Sequence, residues 1–272
     1  NLIEENQLER TLSEGLQGIP GLRPDRAARA LIEQLRGRNF MLCFMGGGNY
    51  AFVHRTFLEY FCAEAIVDRF QVEQTLMLDA LKTEIFGHWP DDTWHEVLRL
   101  VAGRLAPRFV REILDWLLQQ QDPNQSCNHI LLAARCVSEV RNRGELGNTE
   151  ESVMQCTRDL TKLELGFPST SMSSLEDIGQ SKDVLEQAVE LVAEVWKDNK
   201  DTLPWLKECA QSDQNSVVRS SAVRQLGGWK GDPATLTILK ELAQSDEDIN
   251  VRVSAVIMLS LWMYGMYDPE IL

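Results

Sequence analysis

The sequence predicts a mainly α-helical fold: two helices and a β-hairpin at the N-terminus, then a superhelix of helix pairs. Three observations carry this. Apolar residues recur every three to four positions through most of the chain. One glycine-rich turn, "MGGGNY" from Met45 to Tyr50, lies between two short apolar runs. The C-terminal third repeats itself at an offset of 33 residues without a gap.

The N-terminal elements come first. "PDRAARALIEQLRGR" opens on Pro24, whose fixed φ suits a first helical position. Its apolar residues Ala27, Leu31 and Leu35 are spaced to share one face. In "NFMLCFMGGGNYAFVHR" the period changes, and the runs on either side of Gly46 to Asn49 predict the one β-hairpin of the chain. Helix, helix, hairpin is the order that closes a winged-helix unit, so residues 1–70 are expected to form a winged-helix domain. "RTFLEYFCAEAIVDRF" then returns to helical spacing. That spacing puts Phe57, Tyr60, Phe61 and Ile66 near one face, with Glu59 and Glu64 away from it.

Residues 71–165 read as further helix pairs, a degenerate solenoid. "DDTWHEVLRLVAGRLA" has Asp91 or Asp92 as its N-cap, and "PRFVREILDWLLQQQ" starts on Pro107. "CNHILLAARCVSEVRNRG" is a third amphipathic helix stopped near Gly144. Residues 166–180, rich in Ser, Thr, Gly and Pro, are expected to be a loop.

Residues 181–272 hold the repeat. "LKECAQSDQNSVVRSSAVRQL" begins at Leu206 and "LKELAQSDEDINVRVSAVIML" at Leu239. Leu206, Ala210, Asp213, Val218, Arg219, Ala222, Val223 and Leu226 correspond to Leu239, Ala243, Asp246, Val251, Arg252, Ala255, Val256 and Leu259. Each unit is a helix, an acidic turn and a second helix. Such a unit cannot bury its apolar face alone, so it stacks on neighbours as an α-solenoid. Asp213, Arg219, Asp246 and Arg252 are placed to tie one turn to the next by charge-assisted hydrogen bonds. The pattern resembles HEAT repeats, which makes the expected fold a winged-helix domain followed by an α–α superhelix, a HEAT-like solenoid.

Composition narrows the function. A hydrophobic content of 44% is that of an ordinary globular chain. No apolar run is long enough to span a bilayer, so no membrane is expected as a partner. The net charge of −14 disfavours nucleic acid as a partner of the whole chain. The six cysteines form no C-x-x-C pair, which fits free thiols in a reducing, cytoplasmic setting. There is no G-x-x-x-x-G-K-S/T string to cradle phosphates, because no Lys follows the glycines of "MGGGNY". In "HWPDDTWHEV" the histidines lack H-E-x-x-H spacing, so a capped helix with packed tryptophans is expected there and no metal site. No catalytic constellation is found, and the chain is not expected to be an enzyme. Local charge favours one exception on partners. Arg23, Arg26, Arg29, Arg36 and Arg38 stand against Asp25 and Glu33, so DNA binding by the winged helix is an alternative.

The string "FVHRTFLEYFCA", Phe52 to Ala63, resembles the end of the nucleotide-binding module in NACHT-type signalling ATPases of the STAND class. In that family a hairpin strand carries Phe-x-His, and a helix with a Thr-Phe-x-Glu-aromatic pattern follows. Phe52, His54, Thr56, Phe57, Glu59, Tyr60, Phe61 and Ala63 occupy those places, while Glu64 replaces the family's second small residue. The downstream helices and repeats resemble the C-terminal part of cyanobacterial members. The resemblance implies a regulatory and sensor region that controls the switch of an upstream ATPase module and binds a protein partner or trigger. It implies that His54 reaches the β-phosphate of ADP in a full-length parent, which would carry ATP or ADP; this chain itself is expected to hold no cofactor. It also implies a bacterial conflict-signalling role such as antiviral defence. A stand-alone HEAT-like interaction scaffold is the other alternative.

Overall fold

The computed structural model describes residues 2–122, 126–162 and 175–263. The chain forms two compact units, Asn1–Met77 and Leu78–Leu272.

In the first unit, β1 (Ile3–Glu4) leads into α1 (Glu5–Gly15) and α2 (Pro24–Gly37). β2 (Leu42–Gly46) and β3 (Asn49–Phe52) form the expected hairpin, and α3 (Arg55–Gln71) follows. Gly46, Gly47 and Gly48 turn the chain at φ of +91°, +60° and +74°. Side-chain-bearing residues rarely adopt those values, which is why three glycines stand in a row there. The sheet has a third strand beyond the expected hairpin. Its order is β1-β3-β2, all antiparallel, with Ile3 opposite Tyr50 and Leu42 opposite Phe52. A strand of two residues is too short to show alternation, so the sequence pattern did not expose it. Ile32, Leu42 and Tyr50 form the core, with Leu8, Leu12, Leu35 and Phe52 packed against it.

α3 corrects one expectation. Its buried face is Glu59, Ala63, Ile66 and Val67, whereas Tyr60 and Phe61 are each 43% exposed. The buried spacing is still helical. The carboxylate is accommodated because Arg55 Nε donates to Glu59 Oε1 at 2.6 Å from one turn earlier. Polarity alone assigned Glu59 to solvent and the rings to the core, and ion pairing reverses that assignment.

In the second unit, α4 (Leu78–Ala80) continues into a π-helical stretch (Leu81–Ile85) and a 3₁₀ turn (Phe86–His88). Fully buried Leu81 and Phe86 anchor this run. α5 (His95–Ala102), α6 (Pro107–Leu118), α7 (Asn128–Glu139) and α8 (Asn148–Leu160) follow. Of the loop expected over 166–180, residues 166–174 lie outside the described residues. From Leu175 onward the chain is helical, as the start of α9 (Leu175–Val195). α9 packs against α7, α8 and α11.

α10 (Thr202–Ser212) and α11 (Ser216–Leu226) form one repeat, α12 (Pro233–Ser245) and α13 (Ile249–Met263) the next. Asn215 caps α11 and Asp232 caps α12, each accepting a backbone N–H. Leu206, Val218 and Ala222 are fully buried, as are their counterparts Leu239, Val251 and Ala255. They share one core with Leu185 and Val189 of α9. Among the described residues, no helix is long and apolar enough to cross a membrane.

Candidate functional site

The two repeat turns meet at Arg219. Its Nε donates to Asp246 Oδ2 and its Nη2 to Asp246 Oδ1, both at 3.0 Å, a two-pronged grip across neighbouring units. Nη2 also reaches Glu247 Oε1 at 3.2 Å. Nη1 donates at 2.9 Å to the carbonyl of Asp213 in its own turn. Arg219 is 5% exposed, and the hydrogen bond to Asp246 raises the pKa of its guanidinium. Asp213 serves mainly through its backbone. Its carboxylate accepts from Asn215 N at 2.8 Å, and burial pushes its pKa up. Arg252 repeats the local half of the pattern, with Nη1 donating to Asp246 O at 2.7 Å and Glu247 O at 3.0 Å.

Two further ties were not singled out by sequence. Lys207 Nζ bonds Asp232 Oδ2 at 2.7 Å, joining α10 to the cap of α12. That bond, with those from Thr235, holds the Asp232 carboxyl down to about 2. Ser220 and Ser254 share a hydrogen bond of 3.0 Å between α11 and α13. They line a cleft of about 220 Å³ with Lys182, Glu186, Arg224 and Asn250. The repeat gave no signal for this pair, since Ser254 corresponds to Ser221 and Ser220 corresponds to Val253.

The family-motif residues cluster around the start of α3. His54 lies two residues past β3, in extended backbone (φ −121°, ψ 136°), and is exposed. Its imidazole does not cap α3 and its ring centroid stands 6.0 Å from that of Phe57. Phe52 and Phe61 approach at 6.0 Å, and Tyr60 meets Phe61 edge-on at 5.4 Å. Thr56 is exposed and Ala63 is buried. The motif therefore brings an aromatic cluster to the strand–helix junction and leaves the imidazole facing solvent.

"HWPDDTWHEV" is packed locally. Asp91 accepts from Thr93 N at 2.9 Å, His88 stacks on Trp94 at 4.2 Å, and buried His95 bonds the Trp89 carbonyl at 2.7 Å. Among the described residues, no group of three or more His, Cys, Asp or Glu is placed to hold a metal. All six cysteines are free thiols. Burial pushes Cys136 and Cys209 up to about 12, which suppresses their thiolates.

No curated protein matches this chain. The family model for HEAT repeats matches residues 173–260, the span of α9 to α13. The Arg219–Asp246 tie, the shared core and this match agree: the second unit carries a HEAT-like helical repeat region, an architecture that serves as a protein-interaction scaffold.

Proposed function

We propose that the chain is the regulatory and sensor region of a NACHT-type signal-transduction ATPase, and that its helical repeats bind a protein partner or trigger. The observation that carries this reading is the placement of His54. It is exposed two residues beyond β3, the second strand of the hairpin that follows α1 and α2, and α3 with the family motif starts at the next residue. An imidazole held there by extended backbone is free to donate to an anionic oxygen of a nucleotide supplied by an upstream module. Loss of that contact would shift the switch towards its open state. The chain itself supplies no phosphate-binding loop and would not hydrolyse ATP.

The test is nucleotide retention by the full-length protein, measured by chromatography of the denatured extract. His54→Ala should lower retained ADP about tenfold, the loss of one charge-assisted hydrogen bond. Unchanged retention would sink the phosphate contact. If no nucleotide module is encoded upstream, the scaffold role stands alone.

A DNA-binding reading is favoured by the exposed Arg23, Arg26, Arg36 and Arg38 beside α2. Against it, Arg29 is paired with Glu9. The groove along α2 is mixed: Arg23, Arg26 and Gln34 line it together with Leu16, Leu22, Ala27, Ala30 and Leu31. Duplex binding at low salt that is lost in Arg23→Ala/Arg26→Ala would establish the DNA reading.

A further inference from the structure

α2 has two faces, and the core uses one of them. Ala28 and Ile32 are buried in the first unit. Arg23, Arg26, Ala27, Ala30, Leu31 and Gln34 recur at intervals of three and four, so they share a face turned away from that pair. With Leu16 just past α1 and Leu22 of the connecting turn, they line an open groove of about 780 Å³. Leu22 is 40% exposed, and Ala30 is exposed as well. The stripe from Arg23 to Gln34 runs for about 17 Å, roughly three turns of helix.

The charge of this groove is opposite to that of the chain. The sequence has 41 acidic against 27 basic residues, yet two arginines and no carboxylate line the groove. Two acids of the same helix pair are engaged elsewhere. Asp25 accepts from Ser13 Oγ at 2.6 Å, and Glu9 pairs with Arg29. Among the described residues no ion pair ties Arg23 or Arg26. Both stand at the N-terminal end of α2, and the wall beyond them is apolar. Arg36 and Arg38 lie outside the lining.

We propose that this groove docks an acidic amphipathic helix of a protein partner. The apolar stripe of that helix lies over Ala27, Ala30 and Leu31, between Leu16 and Leu22, and carboxylates near one end accept from Arg23 and Arg26. A helix fits better than an extended segment, because no strand edge lines the groove to pair with one. Alanines at positions 27 and 30 leave room for a neighbouring helix to approach closely. Arginines at one end only set the direction in which the helix lies. Duplex DNA would use the arginines and leave the apolar wall uncovered. Every lining residue belongs to the first unit, so the site is separate from the repeats and stands whether or not a nucleotide module precedes the chain.

The probe is a displayed library of randomised helix-forming peptides, each four helical turns long, selected against the full chain. Enriched peptides should carry an apolar stripe at helical spacing with Asp or Glu beside one end. Their affinity is then measured by fluorescence anisotropy. Arg23→Gln/Arg26→Gln should weaken it at least tenfold, through loss of charge-assisted hydrogen bonds. Ala30→Trp fills the groove without changing its charge and should weaken it by a similar factor. Arg36→Gln/Arg38→Gln should change it less than threefold. All five positions are exposed, and an unchanged far-ultraviolet circular dichroism spectrum shows that the fold is kept. Should the indole perturb α2, Ala30→Gln is the smaller filler with good helix propensity. Failure to enrich any peptide, enriched peptides without carboxylates, or equal binding to the groove-filled variant would overturn the proposal. So would a short DNA duplex that binds the parent and Ala30→Trp alike but neither arginine variant, because the arginines would then belong to phosphates. Sedimentation of the chain as a dimer that Ala30→Trp dissociates would give the groove to a second copy and overturn it too.

Discussion

Arg219 joins the turn it belongs to and the turn that follows, through the carbonyl of Asp213 and the carboxylate of Asp246. With both side chains of the pair buried, removing one partner strands the other without water. Arg219→Met should cost about 3 kcal/mol in urea unfolding, and Arg219→Met/Asp246→Asn should recover part of it. Arg219→Lys should fall between, since an ammonium cannot reproduce a planar fork. If the double variant is no better than the single one, the cost lies elsewhere. Asp232 offers a pH test. Its carboxyl titrates at about 2 because Lys207, then Thr235, stabilise the charged form. A folded value below the unfolded one, about 3.9, adds stability that is complete above the unfolded value and lost as pH falls through the folded one. Asp232→Asn keeps an N-cap but removes the charge. It should cost about 0.5–1 kcal/mol at pH 6, a partly exposed pair being screened. The gap should close as pH falls from about 4 to about 2. A gap independent of pH would assign the effect to packing.

Among the elements, the hairpin and α11 carry the clearest local demands. Gly47 has φ +60° and would meet nothing but the Asn49 side chain with a Cβ added, so the cost of Gly47→Ala is conformational. About 1 kcal/mol is expected from the left-handed penalty, read as a lowered melting midpoint of the first unit. Leu226→Ala in α11 should cost about 3 kcal/mol, because its fully buried site is hemmed by the repeat core. These elements were legible in sequence because their signals are repeated or strongly local: three glycines in a row, and apolar positions recurring in both units. What escaped had no such signal. β1 is two residues long, the π-helical run at Leu81–Ile85 differs from α-helix only in its hydrogen bonding, and Glu59 is buried only because Arg55 reaches it. At the site the turn residues Asp213, Arg219, Asp246 and Arg252 could be named from spacing, but not the division of labour among them. Asp213 uses its carbonyl towards Arg219 where Asp246 uses both its carboxylate oxygens, and identical letters in a repeat cannot reveal that difference.

For the whole molecule, the tryptophans are distributed unevenly. All seven lie after Met77, in the second unit, and none in the first. Tryptophan emission therefore reports the second unit alone, while far-ultraviolet circular dichroism reports helices of both. Urea transitions followed by the two probes should have different midpoints, since each unit has its own core. Superimposed curves would mean that the units unfold together. The tie at Arg219 also has a direction in time. A polypeptide is made from its N-terminus, and Asp246 emerges 27 residues after Arg219. The carbonyls of Asp213 and Gln214 are already available when Arg219 leaves the ribosome, so the first turn can close on its own arginine and hold it oriented. The later repeat then meets a guanidinium already aimed, so this tie favours growth from the earlier repeat to the later one.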